Sequence, residues 1–187
     1  MRPTIDVLPP PADDAFASTV GPVPDEVVAR STWSSACPVG LDELAYVTVS
    51  FWGFDGRPHT GELLVAADLA PGAVTVFEAL YAARCPIEEM RVVDAPELDL
   101  PPTGDGNSTT AFVCRPTRGA TSWSEHAYGR AIDVNPFTNP YEKGDLVLPE
   151  LATSYLDRAN VRPGMIEPDG EVVAAFAAEG WAWGGGW

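Results

Sequence analysis

Apolar and polar positions alternate and recur along this chain in blocks that predict its elements. Ala45–Trp52, AYVTVSFW, is a run of β-branched and aromatic residues and predicts a strand. Phe54-Asp55-Gly56 supplies turn chemistry, and Glu62–Ala67 continues as a second strand, so Ala45–Ala67 reads as a hairpin. The period then changes. From Asp68 to Arg84, Val74, Phe77, Leu80 and Tyr81 recur at helical spacing, with Asp68 placed to cap and Pro71 in the first turn. That apolar stripe is a core face. Pro86 stops the helix, Met90–Val93 is a short strand, and the Pro- and acid-rich stretch Asp94–Gly106 is a loop. Asn107–Arg115 predicts another strand, Pro149–Gly170 a loop-rich insert, and Glu171–Ala178 a short amphipathic helix ended by Gly180. The order of elements predicts an α+β domain, a small antiparallel sheet with helices packed against it, over residues 21–187. Met1–Val20, with its three consecutive prolines, reads as a flexible N-terminal arm.

Composition narrows the function. The chain has 187 residues and is 45% hydrophobic, which suits one domain with a real core. Its net charge of −16 repels nucleic acid, anionic membrane surfaces and anionic wall polymers. No apolar run approaches the roughly 18 residues needed to span a membrane, and no basic start followed by an apolar core marks a signal peptide. The three cysteines, Cys37, Cys85 and Cys114, have no metal-type spacing. One disulfide with a free thiol and no disulfide at all are both open.

Candidate chemistry concentrates in Ser122–Pro136, SWSEHAYGRAIDVNP. Ala131–Asn135 alternates like a strand, with Ala131, Asp133 and Asn135 on one side and Ile132 and Val134 on the other. His126 precedes it across a bend containing Gly129, where glycine allows a tight turn and close approach of another group. An imidazole and a carboxylate brought together this way are two ligands of a Zn²⁺ site, or a His–Asp hydrogen bond in a polar loop. The spacing is not a standard zinc spacing.

The segment Ser124–Asp133 matches the pattern S-x-H-x-x-G-x-A-x-D and resembles the M15 metallopeptidases, which include D-alanyl-D-alanine carboxypeptidases and L-alanyl-D-glutamate endopeptidases of peptidoglycan. Val134-Asn135-Pro136 and Asn139-Pro140-Tyr141 are similar to the endolysin-like branch, Asn107–Arg115 is similar to its N-N-T-S-A-F-N-C-R segment, and Gly180–Trp187 to its G-W-x-W-G-G-x-W. The likeness runs from roughly Pro38 to Trp187. It implies the M15, Hedgehog-like fold with a zinc cleft on the sheet, Zn²⁺ as cofactor, and His126 and Asp133 as ligands. It implies a substrate-binding role for Arg115, whose guanidinium suits a carboxylate or a developing oxyanion. Ser124 would bond substrate or orient His126. His59, in the hairpin connection, is a third ligand or a loop histidine bonded to backbone; the family has a histidine-glycine-glutamate stretch here that does not bind metal. The family also places an acidic residue, the general base, and three positions later a histidine, the third ligand, after the tryptophan–glycine stretch. The sequence ends at Trp187 before both, so the expectation is a C-terminally truncated member with no general base of its own and little activity as it stands. The implied function is a zinc peptidase cutting peptidoglycan stem peptides, acting as a monomer outside the cell or on its wall, with neither nucleic-acid nor membrane-inserted partners. The alternative is a non-catalytic module binding metal or wall peptide on the same scaffold.

Overall fold

A computed structural model describes residues 4 and 6–186. Among these, the strands are β1 (Ser18–Gly21), β2 (Leu44–Gly53), β3 (Pro58–Ala66), β4 (Pro86–Ile87), β5 (Glu89–Met90), β6 (Ser108–Thr109), β7 (Tyr141–Lys143) and β8 (Leu146–Leu148). The α-helices are α1 (Asp25–Arg30), α2 (Ala70–Ala82) and α3 (Glu171–Ala178). The architecture is mixed α and β with small, mainly antiparallel sheets. The main sheet runs β1-β2-β3 antiparallel, and β4 adds in parallel to β2 beyond the end of β1.

The β2–β3 hairpin organises the core because its two faces bury different layers. Val47, Val49, Phe51, Leu63 and Val65 meet Val76, Phe77 and Leu80 of α2, with Val172 and Phe176 of α3 packed alongside. Leu44 and Leu64 face the other way, against Val27 of α1, Val92 and Phe112. Burying this much aliphatic and aromatic surface on both faces, at about 25 cal/mol per Å², is the main force holding the sheet. The outer edge of β3 stays open to partners from late in the chain: Phe112 N–H donates to the Leu64 carbonyl at 3.0 Å, and Ala66 N–H to the Gly129 carbonyl at 2.9 Å. That edge is where the candidate site hangs.

Several expectations shift. The hairpin is longer than the apolar runs alone suggest, so His59 lies within β3 rather than in a loop. Its ring is buried, stacked on Phe51, with Nδ1 2.7 Å from Asp6 Oδ1 and Nε2 3.1 Å from Asp55 Oδ1. Both nitrogens are therefore committed to carboxylates remote from the motif, and neither is bonded to backbone. Asp68 does not cap α2, whose N-cap is Leu69; it pairs with Arg130 at 2.7 Å. Ser18–Gly21 pairs with β2 and Phe16 packs on the core, so the end of the N-terminal arm is part of the sheet. Only Ser108–Thr109 of the Asn107–Arg115 stretch is strand, and Asp94–Gly106 contains a 3-10 turn at Ala95–Asp99. The hairpin β7–β8 was not expected from the pattern. Trp187, the last position of the tryptophan–glycine stretch, lies outside the described residues.

The His59 arrangement has a pH signature. A neutral imidazole carries one N–H and can donate to only one carboxylate, whereas imidazolium donates to both. Burial pulls the ring's pKa down, but the hydrogen bonds and charges of Asp6 and Asp55 more than offset this and raise it above the ordinary 6.5. A raised folded-state pKa means the stabilisation is fully present below about pH 6.5 and is lost as pH rises through the folded value. We expect Tm to fall across that window in the parent protein and the fall to flatten in His59→Asn; parallel Tm–pH curves for the two would refute this.

Candidate active site

The spine of the site is the segment 108–115, which lies between β3 and the motif. Thr110 and Asp133 exchange both backbone bonds, at 3.0 and 2.9 Å. Val113 N–H donates to the His126 carbonyl at 3.1 Å, and Ser124 N–H to the Arg115 carbonyl at 3.3 Å. Asp133, His126, Ser124 and Arg115 are thereby gathered along one ribbon.

The local sequence explains the motif's shape. Ser124 is the N-cap of a 3-10 turn at Glu125–Tyr128, its Oγ accepting from His126 N–H at 3.4 Å. This contact ties the Ser124 hydroxyl to the main chain of His126. Gly129 ends the turn at φ +67°, where a Cβ would sit 2.6 Å from Ala66 N. Only glycine permits both the left-handed backbone and this approach to β3. The strand-like alternation of Ala131–Asn135 fails at its last residue. Asn135 adopts φ +45°, and its buried amide donates to the Pro86 carbonyl and accepts from Glu88 N–H, away from Asp133.

His126 and Asp133 come together, with Nε2 3.3 Å from Asp133 Oδ2. His126 Nδ1 lies 2.5 Å from the Ala111 carbonyl oxygen. A carbonyl only accepts, so Nδ1 carries the proton, and in a neutral ring the Nε2 lone pair faces a carboxylate oxygen. Two acceptors at that distance repel unless a cation lies between them, either a proton or a metal ion. Burial lowers the His126 pKa, but the hydrogen bond and charge of Asp133, with the Ala111 carbonyl, more than reverse that and leave it raised. The imidazole is largely buried while Asp133 is about half exposed, at 12% and 53% of side-chain area, so the pair opens to solvent on the carboxylate side.

Arg115 is half-buried, and its Nη1 donates to the Pro116 carbonyl at 3.2 Å. Burial, then the positive charge of Arg118, lowers its pKa, while Asp133 raises it. Its charge also acts on His126. The guanidinium stays charged at any working pH. His59 is not part of this group. Among the described residues, no cluster of three or more His, Cys, Asp or Glu side chains forms around a common point.

Residues 117–187 match the family model described as D-alanyl-D-alanine carboxypeptidase, of the M15 peptidases. The match spans Ser124, His126 and Asp133 and begins just after Arg115. The likeness to the M15 peptidases is thus one of this C-terminal stretch. No curated protein and no solved structure matches the chain.

Sequence reasoning missed two supports of this site. One is Ala111, whose main-chain carbonyl fixes the His126 tautomer; a backbone group leaves no residue-type signal. The other is which cysteines pair: of the states the sequence left open, one disulfide with a free thiol is present, and it joins Cys37 to Cys114, next to Arg115, leaving Cys85 free. Burial raises the Cys85 pKa, so this thiol is a poor nucleophile.

Proposed function

We propose that this protein is a zinc-dependent peptidase of peptidoglycan stem peptides, with His126 and Asp133 as metal ligands. The observation that carries the reading is the anchored imidazole: Nδ1–H on the Ala111 carbonyl leaves Nε2 directed at Asp133 Oδ2, within the stretch that matches the peptidase family. A backbone acceptor behind a histidine is the usual outer support of a metal-binding imidazole, fixing its tautomer and raising its basicity. The donor set fits zinc in kind, one nitrogen and one carboxylate oxygen, and lacks a third protein ligand among the described residues. Bound Zn²⁺ would supply Lewis acidity, polarising a peptide carbonyl and making water nucleophilic near neutral pH.

The remaining work falls to the chain's own groups. Arg115 presents a planar guanidinium suited to a substrate carboxylate or the developing oxyanion. Ser124 holds the turn that aims His126, and Asp133, exposed on its outer side, faces arriving substrate. The disulfide supports a location outside the cell or on its wall, where such bonds persist. Net charge of −16 argues against a nucleic-acid partner, and among the described residues no helix is long and apolar enough to cross a membrane. The protein would act as a monomer on peptidoglycan peptides. Which bond is cut, by carboxypeptidase or endopeptidase action, follows from assaying both stem-peptide types with zinc and with chelator. Cleavage unaffected by chelator would end the zinc reading. A second reading, a module that binds metal or wall peptide without catalysis, is favoured by the two-ligand set; it predicts peptide binding with no turnover.

Arg115 gives a direct check. Arg115→Lys keeps the charge and loses the fork, so affinity for a carboxylate-terminated peptide such as N-acetyl-D-alanyl-D-alanine should fall. A hydrogen bond to a charged group contributes about 1.5–3 kcal/mol, which corresponds to roughly tenfold or more. Equal affinities by NMR titration would remove Arg115 from substrate binding.

A further inference from the structure

We propose that the Cys37–Cys114 disulfide is the positioning element for Arg115, so that carboxylate recognition at the site depends on the intact bond. The inference rests on Arg115 binding a substrate carboxylate, as proposed above.

Arg115 has little else to hold it. Its side-chain hydrogen bond goes to the adjacent Pro116 carbonyl, and no carboxylate among the described residues ion-pairs with it within 4.0 Å. The direction of the guanidinium is therefore inherited from the backbone at residues 113–115. That backbone is a three-residue turn, with Arg115 N–H donating to the Val113 carbonyl at 2.9 Å and Cys114 at its apex. On one side Val113 N–H is tied to His126; on the other, the bond from Ser124 N–H to the Arg115 carbonyl is long, at 3.3 Å. Cys114 is fastened at two points to one distant loop. Its N–H donates to Thr32 Oγ1 at 2.9 Å, and its sulfur is bonded to Cys37, 77 residues away in sequence. That loop is itself an anchor: Trp33 Nε1–H donates to the Val39 carbonyl at 3.0 Å, and Trp33 and Val39 pack on the apolar cluster around Leu64 and Phe112. The disulfide thus ties the apex of Arg115's turn to the second core layer. Without it, one hydrogen bond to a threonine hydroxyl and packing on the shared apolar cluster keep Cys114 on that loop.

Reduction by a dithiol breaks the S–S bond. The dithiol gives up two electrons and two protons, Cys37 and Cys114 become thiols, and the reagent closes to its own disulfide. The test uses zinc-free protein in oxidised form, in dithiol-reduced form, and as the double variant Cys37→Ala/Cys114→Ala. Two readouts are taken: amide hydrogen exchange, and NMR titration with N-acetyl-D-alanyl-D-alanine. Expected are faster exchange at Val113, Arg115 and Ser124 with Leu63 and Val65 still protected, and dipeptide affinity lowered roughly tenfold, as for loss of a supporting contact behind a binding group. Reoxidation of the reduced protein restores both. Unchanged affinity, or exchange that rises equally across β2 and β3, overturns the inference, the latter because the bond then serves global stability alone. Arg115→Lys with the disulfide intact separates the two levels. If it weakens binding and reduction does not, the positioning inference alone fails. If the oxidised parent does not bind the dipeptide, or binds it no better than Arg115→Lys, the carboxylate reading fails and the inference with it.

Discussion

Arg30→Met should destabilise the protein by about 3–5 kcal/mol, the range for removing one partner of a buried ion pair. Glu62 sits in β3 with its side chain at 0% exposure. Arg30 Nη2 lies 2.6 Å from both carboxylate oxygens, Tyr46 Oη donates to Oε2 at 2.7 Å, and Val92 N–H to Oε1 at 3.3 Å. These four contacts join α1, β2, β3 and the Val92 segment around one charge. Arg30 is the only cation among them. Methionine keeps much of the stem's packing but leaves a carboxylate in a low-dielectric layer with neutral donors alone. For a chain of this size the loss corresponds to a Tm drop on the order of 10 °C. A loss below about 1 kcal/mol would show that the charge is already relieved by water or by its neutral donors. The pair also matters to the site, because Glu62 shares its face of β3 with Leu64, whose carbonyl receives Phe112.

The parts of the fold that were legible in the sequence are those with one dominant periodicity. The β-branched run of β2 and the helical stripe of α2 state their structure locally, and α3 spans the stretch its pattern predicts. What was not legible depends on partners distant in sequence. Pro58-His59-Thr60 carries no apolar signal, so His59 reads as loop. It is strand because its backbone pairs with Phe51 across the hairpin, and Asp6 and Asp55 bond the ring that this buries. Asp133 reads as a strand residue, yet it pairs with one residue, Thr110, before Asn135 turns the chain away. At the site, spacing alone allows His126 and Asp133 to meet without requiring it; the motif's likeness to a peptidase family singled them out. Which cysteines pair is a matter of which loops the second core layer brings together. Three cysteines, of which only Cys114 lies in a predicted element, leave that choice open.

Residues 1–187 by themselves should bind zinc weakly and cleave no peptidoglycan peptide. The pair at the site offers one imidazole nitrogen and one carboxylate oxygen, whereas a catalytic zinc site takes three protein ligands and keeps one position for water. The chain's other histidine cannot be recruited cheaply. His59 is buried in β3 and bonded at both ring nitrogens, so freeing it costs two charge-assisted bonds before any metal contact forms. A base is needed as well, within hydrogen-bond reach of the attacking water, and Asp133 cannot serve as ligand and base together. Binding should therefore be to the pair alone, weakened further in Asp133→Ala and abolished in His126→Ala, with both variants folded because neither side chain supports the hydrophobic core. The measurement is competitive zinc titration against a chromophoric chelator, with stem-peptide cleavage followed in parallel. Tight, stoichiometric zinc with chelator-sensitive cleavage by these residues would refute the two-ligand account and require a third ligand from a second molecule or from a rearranged His59. Adding exogenous imidazole separates those outcomes from simple weakness. If the site lacks only a nitrogen ligand, imidazole should raise zinc affinity in the parent and not in His126→Ala.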